Sequence, residues 1–147
     1  MSEEDRELRF RITVVSPPPG VTFGLQRGKG ALVPPAQATN EYLSFDFTLR
    51  VDIGKDGRPN FLGPFAQGPP AGRFVYVNSG TSAGQADSPW TRRAKVPLTG
   101  IGWRLIERAF AGTDTILETQ IEGKAKDGGP ACATVPLLDD GWRISVP

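Results

Sequence analysis

Hydrophobic and polar residues alternate along much of this chain, and a period of two predicts half-buried strands. In LRFRITVV, Leu8, Phe10, Ile12 and Val14 fall on one face, and Arg9, Arg11 and Thr13 on the other. Pro17, Pro18, Pro19 and Gly20 end that strand. Val21, Phe23 and Leu25 alternate briefly before the glycines of GLQRGKG. Ala31 to Asn40, with two prolines and few large apolar groups, reads as a loop. The clearest strand follows, with Leu43, Phe45, Phe47, Leu49 and Val51 on one face and Ser44, Asp46, Thr48, Arg50 and Asp52 on the other.

Further strands are expected at Phe74 to Asn78, apolar on both faces as a central strand requires, and at Arg93 to Leu98, interrupted at Pro97. Ile116 to Ile121, Ala131 to Val135 and Trp142 to Val146 complete the set. One helix is expected, capped by Thr99, striped by Ile101, Leu105, Ile106, Ala109 and Phe110, and closed by Gly112. About seven strands and one amphipathic helix predict a mainly antiparallel two-layer sandwich or open barrel, the helix covering an end or edge. The alternative is an α+β layer with the helix on a single antiparallel sheet. No internal repeat is present, and the length fits one domain spanning residues 1–147.

The segment Gly54 to Gly72 breaks the pattern, with five glycines and four prolines in 19 residues. A connection of that length in a compact domain is usually functional or disordered. Disordered segments lack large apolar side chains, whereas this one carries Phe61, Leu62 and Phe65. Burying each contributes about 2 kcal/mol, which favours an ordered, packed arm. Two roles fit: a cap that closes one end of the sandwich, or a wall of a ligand pocket or partner surface, with Gln67 and the backbone amides supplying polar contacts.

Charge narrows the partners. The chain has 17 basic and 16 acidic residues, a net charge of +1, without the long-range field of a general nucleic-acid or membrane binder. MSEEDRELRF is acidic where a secretory signal is basic and then apolar, and no apolar run approaches the roughly 18 residues of a membrane span, so a cytoplasmic protein is expected. Cys132 is the only cysteine, which excludes an internal disulfide. Histidine is absent, and with it most zinc sites and every Ser-His or Cys-His nucleophile pair.

The remaining motifs have competing structural readings. GLQRGKG is one residue short of a P-loop and lacks the hydroxyl after Lys29, but Arg27 and Lys29 among glycines can form a cationic nest. Asp56-Gly57, Asp127-Gly128 and Asp140-Gly141, with Asp52 and Asp139, gather carboxylates in connections. Asp-Gly is also the ordinary hairpin dipeptide, and the spacing is not that of an EF-hand. Trp90 with Arg92, Arg93 and Lys95 can clasp an anionic or aromatic ligand, or form a strand with outward charges and a core indole. Trp103 and Trp142 read as core rings, and Cys132 as a small buried apolar residue. No spacing selects a pair of carboxylates for acid/base work.

The phrases LRFRITVVSPPPGVTFGLQRGKG, GRPNFLGPFAQGPPAGRFVYV, AGQADSPWTRRAKVPLTGI and KDGGPACATV resemble a bacterial family of small proteins known as domain of unknown function 5990. The resemblance runs over nearly the whole chain. It implies a single free-standing bacterial domain and transfers no activity, cofactor or catalytic residue. The combined reading is a small, mainly β binding or interaction module for an anionic or aromatic small molecule or a protein partner. Its candidate ligand-binding residues are Arg27, Lys29, Phe61, Phe65, Gln67, Trp90, Arg92 and Arg93, with no catalytic residue, cofactor or metal assigned. An isomerase or hydrolase using a perturbed carboxylate, and a structural or oligomer-forming protein, are the alternatives.

Overall fold

A computed structural model of the chain describes residues 7–17, 22–28, 31–69, 72–80, 92–112, 115–122 and 142–145. In chain order its elements are β1 (Glu7–Val15), β2 (Thr22–Arg27), β3 (Ala31–Val33), β4 (Gln37–Ala38), β5 (Tyr42–Ile53), β6 (Pro59–Leu62), β7 (Phe74–Gly80) and β8 (Arg92–Pro97). These are followed by α1 (Trp103–Ala111), β9 (Ile116–Glu122) and β10 (Arg143–Ser145). The strand expected over Ala131–Val135, together with Cys132, Asp139 and the Asp-Gly pairs at 127 and 140, lies outside the described residues.

The strongest alternations become the centre of a six-stranded sheet ordered β10-β9-β1-β5-β4, with β6 on the same edge of β5 as β4. β1 and β5 are antiparallel and place Leu8 opposite Leu49, Phe10 opposite Phe47 and Ile12 opposite Phe45, so their apolar faces coincide. A second sheet, β3-β2-β7-β8, is antiparallel throughout. Phe10, Ile12 and Leu49 of the first sheet, Leu25 and Val77 of the second and Ile106 of α1 belong to one buried core. Each such side chain contributes about 1.5–3 kcal/mol by leaving water. The two-layer expectation therefore holds, with the strands shared between two facing sheets rather than closed into a barrel.

Two local expectations are corrected, and one pairing departs from the antiparallel majority. The segment from Ala31 is not all loop: β3 pairs with the end of β2, and β4 pairs with Ser44 and Leu43 of β5. Short edge strands need no alternation and tolerate the nearby Pro34 and Pro35, which is why periodicity misses them. One pairing is parallel, β1 with β9, because β9 arrives from α1 rather than through a hairpin from its neighbour. The helix starts later than expected. Thr99 lies in a turn in which the Ile101 amide donates to the Leu98 carbonyl at 3.1 Å, and Gly102 is the N-cap, without a side-chain hydrogen bond. Leu98 and Ile101 are buried before the helix begins, and Ile106 and Ala109 form its buried line. Phe110 lies about 100° round the helix from Ala109 and is 41% exposed.

Trp142, just ahead of β10, joins the two sheets. Its ring meets Phe10 edge-on at 5.5 Å, and its indole N–H donates to the Pro97 carbonyl at the end of β8 at 2.8 Å. The outer face of the larger sheet is tied by charge instead. Arg143 pairs with Glu118 at 3.0 Å and Arg11 with Asp46 at 2.7 Å, each directly across a strand pair, and Arg11 sits beside Glu118 in the parallel register. The hydrogen bond to Asp46 holds the Arg11 pKa above its ordinary value, helped by the charges of Asp46 and Glu118 and opposed by partial burial.

Phe10→Ala should lower unfolding stability by about 3–5 kcal/mol, the cost of a large core cavity. Trp142→Phe, which keeps a ring but loses the bond to Pro97, should cost about 1–2 kcal/mol. Urea midpoints at unchanged slope measure both. A neutral Trp142→Phe would show that the indole bond does not secure the sheet junction.

Candidate functional site

The glycine- and proline-rich arm changes character at Gly63. Before it, the Asp56-Gly57 pair forms the expected turn. The Gly54 amide donates to the Arg58 carbonyl at 2.8 Å, the Arg58 amide to Asp56 Oδ1 at 3.0 Å, and Gly57 adopts a φ of +80°. The chain then returns as β6, which pairs Phe61 with Val51 and Pro59 with Ile53. Pro59 is the first residue of an edge strand, where a missing N–H is tolerated. Phe61 is thus a strand residue, 2% exposed, with its ring edge-on to Phe10 at 5.9 Å.

After Gly63 the arm folds over the end of β2. The Gly28 amide donates to the Pro64 carbonyl at 2.6 Å, and Gln67 Nε2 donates to the carbonyls of Gly28 at 3.1 Å and Pro64 at 3.3 Å. Phe65 tilts against Phe47 at 5.3 Å, and the backbones of Gln67 and Phe74 bond to each other in both directions. The described residues of the arm are packed. Gly68 has a φ of +86°, and a Cβ built on it would run into the Phe74 ring.

Between the β5–β6 hairpin and the segment entering α1 lies a groove of about 670 Å3. Its apolar surface includes Ile53, Phe61, Leu98, Ile101 and Trp103, of which Phe61, Leu98 and Ile101 are also buried core residues. The walls are fastened to one another: Trp103 Nε1 donates to the Gly57 carbonyl at 2.7 Å, and the Leu98 amide donates to the Arg73 carbonyl at 3.0 Å. Ile53 is 62% exposed, an apolar side chain left at the lip.

Lys55, Arg58 and Arg73 also line the groove, with Asp56 as the one acid among the lining residues. Arg11 and Arg143 on the outer sheet face have carboxylate partners. Among the described residues, Lys55, Arg58 and Arg73 have none. Arg73 is instead held by neutral acceptors, through Nε to Asn60 Oδ1 at 3.4 Å and through a terminal nitrogen to the Gly68 carbonyl. Lys55 and Arg58 are exposed, whereas Arg73 is half-buried. No group of three or more Cys, Asp or Glu residues that could hold a metal is gathered among the described residues.

Of the residues singled out by sequence, Phe61 lines this groove. Phe65 and Gln67 lie on the part of the arm packed over Phe47 and Gly28. Arg27 is exposed at the end of β2, opposite Ala31. Arg92 and Arg93 stand on β8 opposite Ser79 and Asn78, and Lys29 and Trp90 lie outside the described residues. Trp142 is a core ring as expected, but Trp103 is half-buried and reaches the hairpin turn, which corrects its reading as core filler. Lys55, Arg58 and Arg73 are not among the residues the sequence singles out. The available signal was GKDGR, a hairpin turn with a cation on each side.

A two-sheet β domain with a cation-rimmed groove at one hairpin is the class that fold and site define. The chain belongs to the Family of unknown function (DUF5990), whose model matches residues 8–145. No curated protein and no solved structure matches it.

Two glycine substitutions test how tightly the arm is packed. Gly57→Ala should cost about 1–2 kcal/mol for the left-handed backbone alone, since nothing lies within 4 Å of the added Cβ. Gly68→Ala should cost about 1–3 kcal/mol more because the Phe74 ring must move. Equal urea midpoints for the two variants would show that this contact relaxes freely.

Proposed function

We propose that the groove binds a small molecule bearing an anionic group on an apolar body, and that the protein is a binding module rather than a catalyst. The observation that carries this reading is the pairing of an apolar lining with three cations that have no carboxylate partner among the described residues. Ligand sites are typically cavities of roughly 300–1,000 Å3, mostly apolar with a few placed polar groups, and about 670 Å3 falls within that range. The lining charge of Lys55, Arg58 and Arg73 against Asp56 favours an anion. Acid/base chemistry is the weaker reading because the lining offers a single carboxylate, exposed and already accepting the Arg58 amide.

No helix among the described residues is long and apolar enough to cross a membrane. A cytoplasmic location is therefore a separate proposal, supported by the absence of internal disulfide capacity in a chain with one cysteine.

Titration with 1-naphthoate, followed by amide and indole NMR shifts, should perturb the hairpin around Lys55 to Phe61, Arg73 and the Leu98 to Trp103 segment. Lys55→Glu combined with Arg58→Glu should weaken binding about tenfold at low salt, two exposed charge contacts of about 0.5–1 kcal/mol each. The loss should shrink as salt rises. Shifts centred elsewhere, or an affinity indifferent to both charge reversals, would refute the groove as the site.

A further inference from the structure

We infer that Arg73 is the specificity-determining residue of the groove, that the anion it selects is a planar carboxylate, and that Asn60 is its positioning residue. This rests on the reading of the groove as a site for an apolar anion. Among the groove cations only Arg73 is half-buried, and only its guanidinium is held in place, by Asn60 Oδ1 and the Gly68 carbonyl. Two bonds consume two of the five N–H donors of a guanidinium, and the rest are unpartnered among the described residues. A planar guanidinium with adjacent free donors matches the two oxygens of a carboxylate, and orienting it beforehand reduces the ordering needed on binding.

Charge count separates carboxylate from phosphate. A carboxylate carries one negative charge, which the one half-buried cation can neutralise. A phosphate monoester carries about −1.5 to −2 at neutral pH, and its excess charge would have only exposed Lys55 and Arg58 to meet it. Such exposed charges are screened by water and salt. Asn60 gives the selection its structural origin. It stands on β6 beside Phe61, so the strand that presents the groove's apolar floor also holds the cation in register with it. The Arg73 backbone carbonyl meanwhile accepts from Leu98 on the opposite wall. One residue thus connects both walls and the proline-rich arm.

Three probes sharing one ring system test this: 1-naphthoate, 1-naphthyl phosphate and neutral 1-naphthalenemethanol, titrated into the full chain by calorimetry at neutral pH and moderate salt. The expected order is naphthoate tightest, by about tenfold over the alcohol, with the phosphate between them. Arg73→Lys keeps the charge but removes the planar fork, and should erase the preference for naphthoate over the phosphate, read as the ratio of the two dissociation constants. Asn60→Ala should lower the ratio of naphthoate to alcohol affinity about threefold, a split that a merely structural role would not give. Equal binding of naphthoate and alcohol by the unmodified protein, or tighter binding of the phosphate, would overturn the inference while leaving the groove as a site. Retention of the preference by Arg73→Lys would also overturn it. If none of the probes binds, the groove reading fails and the inference fails with it. The comparison on the unmodified chain is decisive even if a variant folds poorly.

Discussion

The ring of Phe10 is the contact on which the rest of the architecture depends. It stacks on Phe47 of β5 at 5.3 Å and receives the edges of Phe61 at 5.9 Å and Trp142 at 5.5 Å. Edge-on and offset stacked rings are the favourable arrangements for aromatic quadrupoles, beyond the area they bury. Two of these partners lead to the groove. Phe61 brings β6 against the core and supplies floor. Trp142 binds the Pro97 carbonyl, one residue before Leu98, and so fixes the chain that becomes the opposite wall. A single core residue therefore sets the distance between two elements that are far apart in sequence.

How much of this was legible depended on whether a segment's own burial demanded a pattern. β1 and β5 bury one face of a wide sheet, so Phe10 and Phe47 must alternate with polar neighbours, and the alternation is plain. β7 is central in its sheet, and its burial around Val75 and Val77 was readable from composition. β3, β4 and β6 are short edge elements held mostly by backbone pairing, which imposes little on side-chain type. The helix start was misplaced for a related reason. Thr99 has a capping side chain, but Leu98 and Ile101 are needed in the core, and the turn that buries them delays the helix to Trp103.

The candidate site was legible as a region and not as a set of residues. Aromatics between prolines correctly marked an ordered arm, yet Phe61 and Phe65, alike in sequence, diverge once β6 forms. Phe61 lines the groove, and Phe65 covers Phe47 beneath the Gln67 loop. What separates them is the bend at Gly63, and no local pattern gives its direction. Lys55 and Arg58 carry no local signal beyond their place beside a hairpin turn. Arg73 carries none at all, because its contacts run to Asn60, 13 residues away, and to the Leu98 wall.

A half-buried guanidinium without a carboxylate is not the most stable choice for a sandwich of this kind. Carboxylate partners were available to the fold, since the outer sheet face pairs Arg11 with Asp46 and Arg143 with Glu118 directly across strands. At Arg73 the neighbouring acceptors are an amide and a backbone carbonyl, which orient the cation without neutralising it. Ile53, 62% exposed, adds an apolar side chain at the lip of the same hollow. A cation without a carboxylate partner among the described residues and an exposed apolar side chain, both of which an apolar carboxylate would cover, are the combination a recognition site calls for. On the proposed reading, the β5–β6 hairpin is less a cap on the sandwich than an unfinished part of its surface, completed by a ligand.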